Sequence, residues 1–352
     1  KAIGLEHKMG LHGSPTCTMA YGEDGECVGY LLGEENRGMA CMFTMMNAAR
    51  LDVGLQGVGV AEGAFQQALA YAQERRQGRA PGRKDAAQSP IIDHPDVRRM
   101  LYTIKTYTEA SRAVCYANAV AYDLAKHAPD EGERARAKGL EELLTPISKA
   151  WSTDLANETT SLGVQVHGGM GYIEETGAAQ FLRDARIAAI YEGTNGIQAI
   201  DLVGRKLPME GGALVRGFIE DARRTAASLN DTSRADLQEI GARLGAAADA
   251  LSASSEWLLE ALPGRMEDAL AGATPYLRQF GLVAGGRYLG RGALAAAKCA
   301  EANEGDGDYY RSKVSLARFY AANLLSQADA LTGAVVAGGD AVAPIDPEAL
   351  AG

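Results

Sequence analysis

From residue 38 the apolar positions fall into a helical rhythm: Met42, Met45, Met46, Ala49, Val53, Val60, Ala64 and Ala68 share one stripe that runs to the breakers between Gly78 and Gly82. That spacing predicts a helix of about forty residues, against an ordinary length near twelve. The rhythm returns over about 95–127, where Pro95 suits a first helical position, and over about 135–166, where Pro146 is expected to kink the helix. The run His167-Gly168-Gly169-Met170-Gly171-Tyr172 stops it. Two shorter helices follow at about 178–190 and 195–207, with Tyr191-Glu192-Gly193-Thr194 between them. Short connections make this a bundle of long antiparallel helices.

The flanks read differently. Residues 1–33 are Gly-rich, with short apolar runs at 17–21 and 27–32 on either side of Asp24-Gly25, which is strand, hairpin turn, strand. Two strands bury no sheet face alone, so this piece is expected to need partners from a missing N-terminal region. After the breakers from Pro208 to Gly212, Ala-rich helical segments are expected at about 213–229, 233–262, 274–303 and 308–336. Residues 338–352 have no period and read as a loose strap or disorder. The fold class is therefore mainly α. A helical bundle over 34–207 is preceded by this strand piece and followed by a second all-helical domain over 208–337. A first residue of Lys1, inside what reads as a structured segment, leads us to expect a fragment.

Composition narrows the function. With 47% hydrophobic and 23% charged residues the chain can bury a core. Its 45 Asp and Glu against 35 Lys and Arg leave a net charge of -10, which repels nucleic acid and anionic membrane surfaces. A phosphate-bearing ligand then needs a local basic site. The five cysteines are odd in number and form no C-x-x-C pair, so neither a disulfide framework nor a zinc site is expected, and a reducing cytoplasm fits. No run approaches the roughly 18 apolar residues of a membrane span.

Three constellations could carry chemistry. In the first, Glu192 stands where one helix ends and the next begins, after an apolar stripe and before Gly193. A carboxyl partly desolvated there has a raised pKa and becomes a competent general base, whereas a solvated one marks an ordinary interhelical turn. Gly193 and Gly196 allow close approach of a ligand, and Asn195 with Gln198 has capping-box spacing. The second is Gln165 to Tyr172. One glycine suffices to stop a helix; three in four positions fit backbone contact with phosphate or ribose. His167 reads as a capping or hydrogen-bonded residue rather than a catalyst. The third is Arg75-Arg76-Gln77-Gly78-Arg79, the main basic cluster, suited to a diphosphate and equally to the dipole at a helix C-terminus. Gly57, Gly59 and Gly63 fall mid-helix, which favours close helix packing over a dinucleotide fingerprint. The methionines near 42–46 read as core.

In this order, Arg183-Asp184-Ala185-Arg186-Ile187 leading into Tyr191-Glu192-Gly193-Thr194, with Gln165, Gly168-Gly169 and the Arg75 cluster, resembles the C-terminal half of an acyl-CoA dehydrogenase over residues 1 to about 206. Glu6 to Gly10, His12 to Cys17 and the added helical domain resemble the long-tailed branch that includes 3-methylthiopropionyl-CoA dehydrogenase. The resemblance implies FAD-dependent α,β-desaturation of an acyl-CoA in fatty-acid β-oxidation, with Glu192 as the base that removes the α proton while a β hydride passes to flavin N5. The other position some members use for the base, before Arg50, holds Ala49, which cannot take a proton. Arg50 would tune Glu192. Arg75, Gln77, Gln165, Gly168, Gly169 and Thr194 would bind FAD, partly that of a neighbouring subunit; Tyr191, Gly193 and Asn47 would face the substrate.

It also implies that residues 1–33 are the last strands of a middle β-domain, and it implies a homodimer or homotetramer and an electron-transferring flavoprotein as acceptor. Two positions depart from the family pattern: Gln77 is followed directly by Gly78 rather than by an aromatic, and Gly196 stands where many members have Gln. The family's N-terminal half is not in this sequence, so the segment alone is expected to be inactive. Acyl-CoA oxidase is the nearest enzymatic alternative. A non-catalytic oligomerisation module and a DNA-associated flavoprotein of the same fold are the others; the net charge argues against the last.

Overall fold

A computed structural model describes residues 1–82, 88–342 and 346–351, apart from the side chain of Thr44. Three long helices form the frame: α1 (Gly38–Glu74), α2 (Pro95–His127) and α3 (Glu131–His167). Each starts or ends for a local reason. Pro95 opens α2, and α1 stops where Arg75 turns extended at φ -66 and ψ 122 and Arg76 forms a bridge with Pro90. α3 begins four residues earlier than its apolar rhythm, because the Asp130 carboxylate caps it by accepting from the Glu133 N–H at 2.7 Å. Pro146 is buried mid-helix and does not end α3.

The chain runs up α1, down α2 and up α3, so α1 and α3 are parallel neighbours and α2 is antiparallel to both. Two glycines bring α1 and α3 together. A Cβ at Gly54 would stand 2.4 Å from the Ser148 carbonyl oxygen, and one at Gly57 would stand 2.9 Å from that of Ser152. The mid-helix glycines are packing devices, as the sequence reading expects; at Gly63 a Cβ would meet the Phe181 ring at 2.6 Å. Gly59 is different, with nothing within 4 Å.

After α3, short helices α4 (Ala178–Arg186) and α5 (Asn195–Asp201) flank the Glu192 turn. Then come α6 (Ala213–Asn230), α7 (Ala235–Ala261), a one-turn α8 (Met266–Ala271) and α9 (Ala273–Glu301). α10 (Gly307–Tyr320) and α11 (Gln327–Val336) are joined by a π-turn, and α12 (Pro347–Ala351) follows. These later helices share one apolar core with the frame, running from Tyr107, Leu144 and Trp151 to Phe218, Tyr276 and Leu325. The Trp151 indole lies along a groove on α9, where Cβ atoms at Gly281 and Gly285 would meet it at 2.3 and 2.8 Å.

Three expectations need correction. The strand pair is β1 (Ala2–Leu5) with β2 (Cys17–Met19), antiparallel, and residues 27–32 form no strand. The apolar run there finds no backbone partner among the described residues, and Tyr30 and Leu32 stand 94% and 87% exposed. The methionines near the start of α1 are not core either, since Met45 is 61% exposed. The tail, read as shapeless, carries a turn of 3-10 helix at Gly339–Val342 and the short α12.

The glycine contact yields a paired test. Gly54→Ala should destabilise the chain by about 1–3 kcal/mol, because the helices must part. Gly59→Ala should be neutral or stabilise by up to roughly 1 kcal/mol, the helix propensity gained. Chemical denaturation of both variants beside the parent reads the difference.

Candidate active site

α4 ends in a 3-10 turn at Ile187–Ala189, and the chain then reverses through two left-handed residues, Glu192 at φ 57 and Gly193 at φ 82. For Gly193 this costs little, and its missing Cβ is needed as well, since a Cβ would stand 2.9 Å from Gln198 Nε2. For Glu192 the conformation is unfavourable and persists only because its surroundings over-determine it. Those surroundings come from α3. Lys149 is fully buried and donates to the Gly193 carbonyl and to Asn195 Oδ1, each at 2.8 Å. Asn195 Nδ2 donates to Asp154 Oδ1 at 2.7 Å, to Thr153 Oγ1 at 2.9 Å and to the Ala150 carbonyl at 3.1 Å.

The capping box expected of Asn195 and Gln198 does not form. Thr194 caps α5 through its hydroxyl oxygen, which accepts from the Ile197 N–H at 3.3 Å. Asn195 is instead drawn inward to α3, and Gln198 is fully buried behind the turn.

Arg50 reaches the turn from α1. It is nine-tenths buried, 4.0 Å from the Asp201 carboxylate on α5, and a Cβ on Gly193 would lie 3.9 Å from its Nη2. Asn47 sits one turn earlier on the same helix, half-buried. Tyr191 donates its hydroxyl to Gln56 on α1, and burial pushes its phenol above the usual range. Burial likewise raises the Asp154 carboxyl, against the lowering effect of its bond from Asn195. Burial pulls Lys149 down to about 8; Asp154 and Glu192 oppose this and Arg50 adds to it. Beside the turn a cavity of about 380 Å³ is lined by Lys8, Met9, Leu11, Arg186, Ile190 and Tyr191. Its wall is fixed because Asp184 accepts from the Leu11 N–H at 2.7 Å and Arg183 pairs with Glu174 at 2.6 Å.

The remaining site residues gather elsewhere. Arg75 and Gln77 are exposed at the far end of α1, where Arg75 Nη2 donates to Gln77 Oε1 at 3.3 Å. Gln165, Gly168 and Gly169 are exposed at the adjacent end of α3, the two helix ends being joined by Tyr71, whose ring packs tilted against that of His167 at 4.5 Å. His167 is a hydrogen-bonded residue, its Nδ1 2.7 Å from the Gly163 carbonyl. Of the three glycines, Gly171 is forced by packing, with a Cβ 2.3 Å from the Val164 carbonyl oxygen, and Gly168 by its φ of 59. Gly169 has open space around it. Gln56 and Arg75 are 19 residues apart on one helix, or about 28 Å at 1.5 Å per residue. The sequence-predicted residues thus form two clusters on one chain.

Two halves of the chain match family profiles. Residues 36–207 match the family described as "Acyl-CoA dehydrogenase, C-terminal domain", and residues 213–346 match "Acetyl-CoA dehydrogenase C-terminal like". The chain belongs to the acyl-CoA dehydrogenase family. Over 340 residues it is 44% identical to the 3-methylmercaptopropionyl-CoA dehydrogenase of Ruegeria pomeroyi, covering 97% of this chain and 57% of that protein. A butyryl-CoA dehydrogenase of Syntrophomonas wolfei is 34% identical over 341 residues, covering 92% and 54%.

The fold is shared with the Bacillus anthracis acyl-CoA dehydrogenase solved in complex with FAD, at TM-score 0.72 and 19% identity over all of this chain and 58% of that one. It is shared too with Caenorhabditis elegans ACDH-11 in complex with C11-CoA, at TM-score 0.74 and 18% identity over 97% and 52%. The chain therefore spans a little over half the length of these relatives. Among the described residues no helix is long and apolar enough to cross a membrane.

Asn195 ties α5 to α3, which gives a stability test. Asn195→Ala removes the bonds to Asp154, Thr153 and Ala150 and leaves buried groups unpaired, so it should cost about 2–4 kcal/mol, at or beyond the ordinary range for one such loss. Denaturant unfolding at neutral pH measures it.

Proposed function

We propose that this chain is the part of an FAD-dependent acyl-CoA dehydrogenase that carries the catalytic base, with Glu192 removing the α proton of an acyl-CoA thioester. The observation that carries the reading is the Glu192 turn itself. Glu192 is half-buried and held in left-handed backbone between Tyr191, which lines a cavity of about 380 Å³, and Gly193, which a buried Arg50 approaches. Ala49 offers no second carboxylate at the alternative position.

The open backbone at Gly169 and the exposed Arg75 and Gln77 fit a flavin nucleotide, since small residues admit phosphate and ribose, and Arg pairs with diphosphate. These residues, with Gln165, Gly168 and Thr194, would hold FAD. When bound, FAD supplies the acceptor for the β hydride. Tyr191, Gly193 and Asn47 would line the thioester, and the backbone N–H of Glu192 would polarise its carbonyl as charge develops there. Arg50, with Asp201 as its counterion, would bring a buried guanidinium against the turn at Gly193 and act on the base electrostatically.

The separation of the two clusters by about 28 Å supports a site completed between copies, so a homodimer or homotetramer belongs to the reading. An electron-transferring flavoprotein is the acceptor we expect, and residues 208–337 form an additional domain braced on the catalytic one.

Two substitutions in the full-length protein test this. Glu192→Gln keeps size and an acceptor oxygen but takes no proton, so FAD and acyl-CoA should still bind while flavin reduction falls about 10² to 10⁴-fold. Anaerobic stopped-flow reduction reads it, and a variant keeping more than about a tenth of the rate removes Glu192 from the role of base. Arg75→Ala should weaken FAD retention roughly ten- to hundredfold, the worth of a charged hydrogen bond to phosphate, with little effect on chemistry once FAD is saturating. Flavin absorbance after dialysis decides it; an unchanged content assigns Arg75 to the helix end alone.

A further inference from the structure

We propose that Lys149 is a positioning residue of the reaction: from beneath the turn it grips Gly193 and Asn195, and so sets where the Glu192 carboxylate stands. This rests on the reading of Glu192 as the base. Lysine is almost never fully buried without a charged partner in contact. Here the side chain has no exposure, and its two acceptors, the Gly193 carbonyl and Asn195 Oδ1, are both neutral. A buried ammonium satisfied in this way is no better for stability than an apolar side chain of the same shape. Its placement under the turn with two consecutive left-handed residues gives it a use that packing does not.

The charged and titratable groups around it come from every neighbouring element. Asp154 and Glu158 lie further along α3, and Glu192 stands in the turn above. Arg50 reaches in from α1 with Asp201 of α5 as its counterion, Arg278 of α9 pairs with Glu158, and Cys115 of α2 faces Ser148 and Ser152. Burial pushes the Cys115 thiol up to about 11, so it stays neutral through the range that matters. Burial also brings Lys149 down to about 8, so it is mostly an ammonium at neutral pH and an amine in mild alkali. Charge-assisted hydrogen bonds are roughly twice as strong as neutral ones. The grip on Gly193 therefore slackens as pH rises through about 8, and the base loses its fixed position.

The test uses full-length protein loaded with FAD, and wild type, Lys149→Met and Asp154→Asn reduced anaerobically with an acyl-CoA from pH 6 to 10. In wild type the reduction rate should fall above pH about 8. Lys149→Met should bind FAD and acyl-CoA within about threefold of wild type, reduce roughly ten- to a hundredfold more slowly, as expected for a misplaced catalytic group, and show no such alkaline limb. Asp154→Asn removes a carboxylate that holds the proton on Lys149, so its limb should move to lower pH; this variant keeps the lysine and serves even if Lys149→Met does not retain FAD.

A second readout needs no flavin. From about 8 to 10.5 the unfolded chain keeps a proton that folded Lys149 has lost, so wild-type stability should gain on Lys149→Met as pH rises through that window. A wild-type rate in Lys149→Met, or an alkaline limb common to all three proteins, overturns the proposal. Glu192→Gln run alongside separates the two ideas: full activity there refutes the base, whereas a collapse there with an unaffected Lys149→Met refutes only the role of Lys149.

Discussion

The close approach of α1 and α3 is the constraint on which the rest depends. Arg50 belongs to one helix and Lys149 to the other, and both must reach the same two-residue turn. Gly54 and Gly57 let the α1 backbone settle against the carbonyls of Ser148 and Ser152, one turn from the residues that matter. Side chains at those positions would separate the helices and draw Arg50 and Lys149 apart. The turn is therefore held by the spacing of the frame and not by its own sequence, which prefers neither φ 57 at Glu192 nor an amide turned inward at Asn195.

Much of this was legible in the sequence. The apolar rhythm of α1 and α2 located both helices to within a few residues, because long amphipathic patterns are dominated by burial along one stripe. The Tyr191-Glu192-Gly193-Thr194 turn was legible as an interhelical reversal. What escaped was tertiary. Lys149 sits among Ser148, Ala150 and Trp151 in a run that gives no sign of a chemical role, and only the fold turns it inward. Asn195 and Gln198 have the spacing of a capping box, yet Thr194 takes the cap because α3 offers Asn195 better partners. Residues 27–32 have strand-like composition, but a strand is defined by its neighbour, and β2 pairs with β1 instead. Asp130, which starts α3 four residues early, was a readable cap that the apolar rhythm overshadowed.

The two clusters differ in how they are built. Around Glu192 the turn is half-buried and held by buried or part-buried bonds from α1 and α3, an arrangement that would suit chemistry at one atom. At the far end Arg75, Gln77, Gly168 and Gly169 lie exposed, with open space at Gly169, as suits contact with an extended ligand along its backbone. Precision and access are thus placed at opposite ends of the same pair of helices.

The Trp151 indole, laid in the glycine groove of α9, ties these observations to the later helices. Trp151 follows Lys149 by two residues, so it faces away from the turn and holds the opposite side of the same stretch of α3. The later helices thereby act as a backstop: the segment that carries Lys149 is clamped between the Glu192 turn in front and α9 behind. A local opening of α9 would free the indole and let that stretch of α3 rotate. Amide protons of the two segments would then exchange with solvent as one cooperative unit, although more than a hundred residues separate them in the chain.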